Sequence, residues 1–306
     1  MSVKVDEITL SNGQKVPVLG LGTWQGGDDP AAVGKAVKMA IDAGYRHFDC
    51  AAVYGNEEDI GQAIKEKIEE GVVKREDLFI VTKVWNDEHR QNQVVPACKR
   101  SLKKFGMDYI DLYLVHWPFS YPEDGIDYLE TWKGMEECMK LGLTRSIGVS
   151  NFNSQQLKRL LENSKIKPVM NQIEVHINLN QKKLREFCAS QGIAVTGYSP
   201  FGAPGRNTSY QPSGPEIELQ ARTLSEIAKK YNKTNAQIAL RYLIDIGIIT
   251  IPKSSSEKRI RENINIFDFK LTADEIAEIN KLDRNFRTCS ADEFKNCKEY
   301  PFNIEF

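Results

Sequence analysis

Four residue types at four places in this 306-residue chain would together make a proton-transfer site: Asp49, Tyr54, Lys83 and His116. A free phenol titrates near ~10, which makes it a weak acid at neutral pH. An ammonium beside it favours the phenolate and lowers that value, by roughly 1–3 units for close opposite charges. Lys83 is the ammonium on offer, and Asp49 would hold it and keep it charged. His116, as a neutral imidazole, would orient a substrate oxygen by a hydrogen bond. Taken singly, each has a plainer reading. A loop tyrosine packs, an Asp–Lys pair is a structural salt bridge, and a lone histidine sits satisfied in a core. Their shared placement at successive strand ends argues for the chemical reading.

That placement follows from an alternation along the chain. Short β-branched or apolar runs cover residues 16–21, 45–49, 78–84, 109–115, 144–149, 168–173, 193–198 and 247–251. Amphipathic stretches of helical length follow at 31–43, 57–69, 94–105, 128–140, 154–162, 181–191, 219–231, 236–246 and 256–264. Strand–helix alternation implies a parallel sheet with helices outside, and eight units imply a closed (β/α)8 TIM barrel. The expectation is one domain over residues 1–306, with an N-terminal β-hairpin, one extra C-terminal helix at 272–282 and an irregular tail. Thr272 and Glu275 form the capping box of that extra helix. The rival architecture, an open doubly wound sheet, wants a Gly-rich phosphate turn after its first strand. Gly20-Leu21-Gly22-Thr23-Trp24-Gln25 has Gln25 where the last glycine should stand. In a barrel, catalytic groups sit at the C-terminal strand ends. Those ends carry Asp49, Lys83, His116, Ser150, Asn151, Gln172, Tyr198, Ser199, Lys253 and Ser254, with Tyr54 in the loop after Asp49.

Composition narrows the class. With 41 basic and 42 acidic residues the net charge is −1, so nothing draws the chain to nucleic acid. The start, MSVKVDEITLSNGQ, has no apolar signal core, and no window reaches membrane-spanning length. A cytoplasmic, monomeric protein is expected. Six scattered cysteines without a CxxC pair read as reduced, mostly buried thiols. His47, His89 and His176 show no metal-ligand spacing, so no metal is expected. The glycosylation-like triplets at Asn207 and Asn232 read as chance matches.

The chain resembles the aldo-keto reductases over essentially its whole length. The matching stretches are LGLGTW (19–24), YRHFDCAAVYGNE (45–57), VTKVW (81–85), DLYLVHWP (111–118), IGVSNF (147–152), NQIEVH (171–176), GYSPFG (197–202) and IPKSSSEKRIRENINIFDF (251–269). The animal aldose-reductase-like branch, including insect members, is most similar in look, down to the YPF near the C-terminus. The resemblance implies NADPH-dependent reduction of aldehydes or ketones, with Asp49, Tyr54, Lys83 and His116 as the catalytic set and Tyr54 as the acid. It implies that Ser150, Asn151 and Gln172 hold the nicotinamide carboxamide and that Tyr198 stacks on the ring. Thr23, Trp24 and Ser199 would also touch the cofactor. Lys253, Ser254, Ser255 and Arg259 would take the 2′-phosphate, for which the arginine fork is suited, and Glu262 and Asn263 would take adenine.

By the same resemblance, Trp24, Val53, Trp85, Trp117 and Phe119 form the rim of the substrate cleft. The loop 202–215, with Tyr210, and the tail around 289–296, with Cys289, complete it. Aromatic walls favour an apolar substrate such as a lipid or aromatic aldehyde, or a steroid-like ketone of the 3-dehydroecdysteroid kind. Many relatives close a loop over the cofactor with an acid–lysine link. This chain has Gly205 and Gln25 at those points, so faster NADP⁺ release is expected. Two other functions fit the same barrel: a Schiff-base aldolase using Lys83, and a non-catalytic cofactor-binding or structural protein.

Overall fold

The computed structural model of the chain describes residues 3–24, 30–123, 125–202, 217–304 and 306. β1 (Glu7–Thr9) and β2 (Lys15–Pro17) form an antiparallel hairpin with Ile8 opposite Val16. Eight parallel strands follow: β3 (Leu21–Gly22), β4 (His47–Asp49), β5 (Phe79–Val84), β6 (Ile110–Val115), β7 (Thr144–Ser150), β8 (Met170–Glu174), β9 (Ala194–Tyr198) and β10 (Ile249–Thr250). Each is hydrogen-bonded to its neighbour in chain order. The sheet closes on itself. Gly20 N–H donates to Thr250 O (2.9 Å), Gly22 N–H to Pro252 O (3.2 Å), and Thr250 N–H to Val18 O (2.9 Å). β5 (FIVTKV) and β6 (IDLYLV) are buried at every residue, as strands covered on both faces must be.

The helices lie between and outside the strands. They are α1 (Pro30–Ala43), α2 (Glu57–Glu69), α3 (Gln91–Phe105), α4 (Tyr128–Lys140), α5 (Ser154–Asn163), α6 (Lys182–Ser190), α7 (Arg222–Tyr231), α8 (Asn235–Asp245), α9 (Glu257–Ile264) and α10 (Ala273–Asn280). α10 is the extra C-terminal helix, and its Thr272–Glu275 capping box forms as expected. Trp132, Met135, Tyr128 and Phe152 anchor the larger core between strands and helices. Among the described residues, no helix is long and apolar enough to cross a membrane.

One expected strand, 16–21, is two pieces. Pro17 lacks an N–H and ends the hairpin strand. Val18 then serves both partners, donating its N–H to Asp6 O (2.9 Å) and accepting from Thr250. At Gly20 a Cβ would fall 2.7 Å from the His47 ring, so only glycine lets the barrel strand lie against that buried histidine. The hairpin thereby becomes a floor. Leu10 and Val16 pack on Phe79, Val81, Leu112, Leu114, Val169, Met170 and Ile249 at the N-terminal end of the barrel. Asn12 Nδ2 donates to Ser146 Oγ (2.7 Å) to pin it. The opposite end stays available for a site.

Candidate active site

β4, β5 and β6 deliver their C-terminal residues to one spot at the mouth. Lys83 has no exposed side-chain surface, and its Nζ donates to Asp49 Oδ2 (2.8 Å) and to Cys50 O (2.7 Å). The register aligns His47 with Phe79 and Asp49 with Val81, so the lysine stem runs up from β5 to meet the carboxylate from the end of β4. Lys83 Nζ lies 5.2 Å from the centre of the Tyr54 ring, which packs edge-on to the His116 ring at 5.9 Å. Trp85 also packs edge-on to His116, at 5.0 Å. The four residues read from the sequence as one set therefore meet.

Their electrostatics differ from expectation in one respect. Burial would strip the Lys83 ammonium, but the Asp49 carboxylate outweighs that and holds its pKa above the ordinary value. An amine kept as ammonium is no nucleophile, which counts against a Schiff base. Burial, with the Lys83 charge adding to it, drives the His116 imidazole well below its usual range, so it is neutral. For Tyr54 the expected lowering is overturned. Burial pushes the phenol up to about 12, and the opposing pull of Lys83 does not overcome it. The phenol is thus protonated across the neutral range, as a proton donor must be.

The residues expected around a nicotinamide form a polar layer that runs into this set. Gln172 Nε2 donates to Asp49 Oδ1 (2.6 Å), Ser150 Oγ to Gln172 O (2.9 Å), and Asn151 Nδ2 to His116 O (3.0 Å). Tyr198 OH donates to Asn151 Oδ1 (2.8 Å), which fixes its half-buried ring at the mouth. Asn151 and Ser199 adopt left-handed backbone (φ 62 and 49) where the chain turns off β7 and β9. Thr23 does not face outward: its Oγ1 donates to Asp49 O (2.8 Å) and it is buried. The sequence separated these residues from the Asp–Lys pair, whereas Gln172 and Thr23 grip Asp49 directly.

The last strand leads to the cationic segment. The bridge between Gly22 and Lys253 sets Lys253 beside the first barrel strand. Ser254 Oγ accepts from Ser256 N–H (3.2 Å) at the start of α9, and Ser255 is exposed. Arg261 is paired with Glu257 (2.9 Å), whereas Arg259 is exposed and has no ion pair among the described residues. Glu262 is half-buried and Asn263 buried on the same helix. Amides beside a tyrosine face, followed by two cations and serine hydroxyls, are the donor set a phosphorylated dinucleotide requires.

Aromatic residues wall the remaining side. Trp117 packs on Phe119 (5.4 Å) and Phe302 (5.9 Å), and Phe119 on Phe294 (5.0 Å). Trp24 and Trp85 are half-buried, and Val53 is exposed. Phe119 was expected on the rim. It has no exposed surface, because Phe294 from the tail covers it, so it backs the wall. The sequence missed what holds that tail. Buried Glu174 accepts from Thr288 N–H (2.7 Å), Cys289 N–H (2.9 Å) and His176 Nε2 (2.9 Å). Only the acidic residue inside NQIEVH, at the end of β8, hinted at it. The loop 203–215, with Tyr210 and Gly205, and Gln25 lie outside the described residues.

Comparison with known proteins agrees with this geometry. The model of the Aldo/keto reductase family matches residues 18–284. Aldo-keto reductase AKR2E4 of Bombyx mori is 50% identical over 98% of this chain and 100% of its own length. Its crystal structure in complex with NADP superposes with a TM-score of 0.93 at 49% identity, covering 98% of this chain and 100% of that one. A crystal structure of aldo-keto reductase AKR2E5 complexed with NADPH has a TM-score of 0.93 at 44% identity, covering 99% and 95% of the two chains. Estradiol 17 beta-dehydrogenase 5 of Mus musculus is 41% identical over the full length of both.

Proposed function

The chain belongs to the aldo/keto reductase family, an NADP-dependent oxidoreductase acting on carbonyl and alcohol groups, and from that premise we propose residue roles and a substrate class. The fully buried Lys83–Asp49 pair against Tyr54 carries the reading. Bound NADPH supplies the hydride. Tyr54 gives its phenolic proton to the substrate oxygen as negative charge develops there. Lys83, held by Asp49 and Cys50 O, stabilises the phenolate left behind. His116, neutral, orients the same oxygen by a hydrogen bond.

Ser150, Asn151 and Gln172 position the nicotinamide amide, and Tyr198 offers the ring a face. Thr23 acts one step back, through Asp49, and Trp24 and Ser199 border the cofactor. Lys253, Ser254, Ser255 and Arg259 hold the 2′-phosphate, and Glu262 and Asn263 the adenine. Residues 1–306 work as one domain and as a monomer in the cytoplasm, without nucleic acid.

The substrate is an apolar carbonyl compound: a lipid or aromatic aldehyde, or a steroid-like ketone such as a 3-dehydroecdysteroid. The wall of Trp85, Trp117 and Phe302, with Trp24 and Val53 at the opening and Cys289 beside Tyr198, supports this choice. So does the steroid in the name of the mouse relative. The test is NADPH oxidation with a simple aromatic aldehyde, then with sugars, retinal and ecdysteroid ketones. Higher kcat/KM on sugars than on every apolar carbonyl would overturn the substrate class. No NADPH oxidation with any of them would overturn the roles.

A further inference from the structure

The turn after β5, Asn86–Glu88 with His89 behind it, has no part in the mechanism above. Yet four of the fourteen buried side-chain nitrogen and oxygen atoms without a partner, among the described residues, belong here, and a fifth belongs to His116. They are Asn86 Nδ2 and Oδ1, His89 Nδ1 and Nε2, and His116 Nδ1. Asn86 is 1% exposed and His89 0%. Neither is loose. Asn86 O accepts from Tyr121 N–H (3.0 Å), and His89 O from Thr131 Oγ1 (2.8 Å). The backbone is thus pinned so that both side chains stay inside.

His116 is their neighbour. Its N–H donates to Val84 O (3.3 Å), which sets it level with Trp85, one residue before Asn86. A charge on His89 would act directly on His116. Burial pushes the His89 imidazole down to about 3, so it is neutral and offers one donor and one acceptor. A buried polar atom without a partner is costly, so the Asn86 amide and the His89 and His116 rings each require a bonding solution. A single buried water with two to four polar partners can serve one atom from each of the three side chains.

We propose that Asn86 and His89 are positioning residues for His116: the Asn86 amide, through one buried water shared with His89, donates to His116 Nδ1. A neutral imidazole has one N–H. With Nδ1 held as an acceptor, the proton resides on Nε2, the nitrogen left for the substrate oxygen. The turn thereby sets the tautomer that the carbonyl meets. This rests on the reading of His116 as the residue that orients the carbonyl.

The test is ¹⁵N NMR of histidine-labelled protein with NADPH bound, with the His116 signals assigned among the four histidines by substitution. The wild type is expected to show His116 as the Nε2–H tautomer. Asn86→Asp replaces the amide donor by a carboxylate that takes one proton of the shared water, and is expected to shift the His116 population away from Nε2–H toward Nδ1–H. It should lower kcat for aldehyde reduction roughly tenfold or more, because a wrong tautomer disables an imidazole whose geometry is intact. The KM for NADPH should stay within about twofold. Asn86→Leu, which removes donor and acceptor together, should lose the Nε2–H preference. Nδ1–H in the wild type, or an unchanged tautomer in both variants, overturns the proposal. The tautomer is read without turnover, so an enzyme inert toward carbonyls would sink the functional reading and leave this measurement standing.

Discussion

The two ends of the barrel bury the same device and use it differently. At the floor, Asp111 accepts from Arg75 Nη2 (2.7 Å), Ile80 N–H (3.0 Å) and Gln14 Nε2 (3.4 Å). Arg75 also stacks on Tyr109 at 4.0 Å and donates to Leu78 O (3.0 Å) and Tyr109 O (2.9 Å). At the mouth, Asp49 accepts from Lys83 and Gln172. The mouth pair is out of water, a costly arrangement that is only weakly stabilising in itself, and the floor pair is mostly so, with the Arg75 side chain partly exposed. The difference lies in what surrounds them. The floor pair faces a hairpin that covers it. The mouth pair faces a half-buried phenol, an exposed Val53 and an imidazole with an unpartnered nitrogen. On the proposed roles, the mouth pair can serve chemistry because its neighbours are left incomplete.

Substitutions at the two ends should therefore separate. Tyr54→Phe should remove at least about 10²–10⁴ of the reduction rate, while NADPH affinity, read by fluorescence titration, barely moves. Lys83→Met should be non-additive with it, because both disable one proton-delivery unit. With the phenol raised to about 12, the wild-type rate should show no Tyr54-linked fall as pH rises from about 6 to 9. A fall there would mean that Lys83 wins over burial after all.

Asp49→Ala strands a buried cation and should cost about 3–5 kcal/mol in urea denaturation, whereas Asp111→Ala leaves a partly exposed Arg75 that keeps Leu78 O and Tyr109 O and should cost less. Only Asp49→Ala should also collapse kcat. Equal kcat losses would erase the contrast between the ends. Arg259→Ala should raise the KM for NADPH about tenfold or more and leave NADH nearly unchanged, the scale of one charge-assisted bond. Equal losses would show that Arg259 does not read the 2′-phosphate. Smallest of all, Val16→Ala in the floor should cost about 1–3 kcal/mol of stability with kcat intact.

How much of this was legible follows the same division. The periodicity of 57–69 and 128–140 gave α2 and α4 to the residue, and the strand ends named the mouth set. The run 16–21 misled because one apolar pattern serves two sheets, and only Pro17 marks the break. The lowering expected for Tyr54 followed from its charged neighbour, because burial depth has no sequence signature. Glu174 and the Asn86–His89 turn were illegible for a related reason. Their meaning lies in partners more than a hundred residues away, or in partners they lack inside the protein.

Closure by β10 has a consequence for the order of synthesis. The partner of Val18 and Gly20 is Thr250, and Asp49 waits for Gln172, 123 residues later. A chain emerging from the ribosome therefore carries an unclosed sheet, with both edges able to pair with other chains, until about the last fifth of the protein is made. The Asp–Lys pair can form long before that, but the ring around it cannot. A nascent chain stalled before residue 249 should stay protease-sensitive and inactive, and one extended past residue 264 should become resistant in a single step. Stepwise gain of resistance with each strand would show that the barrel does not wait for its own end.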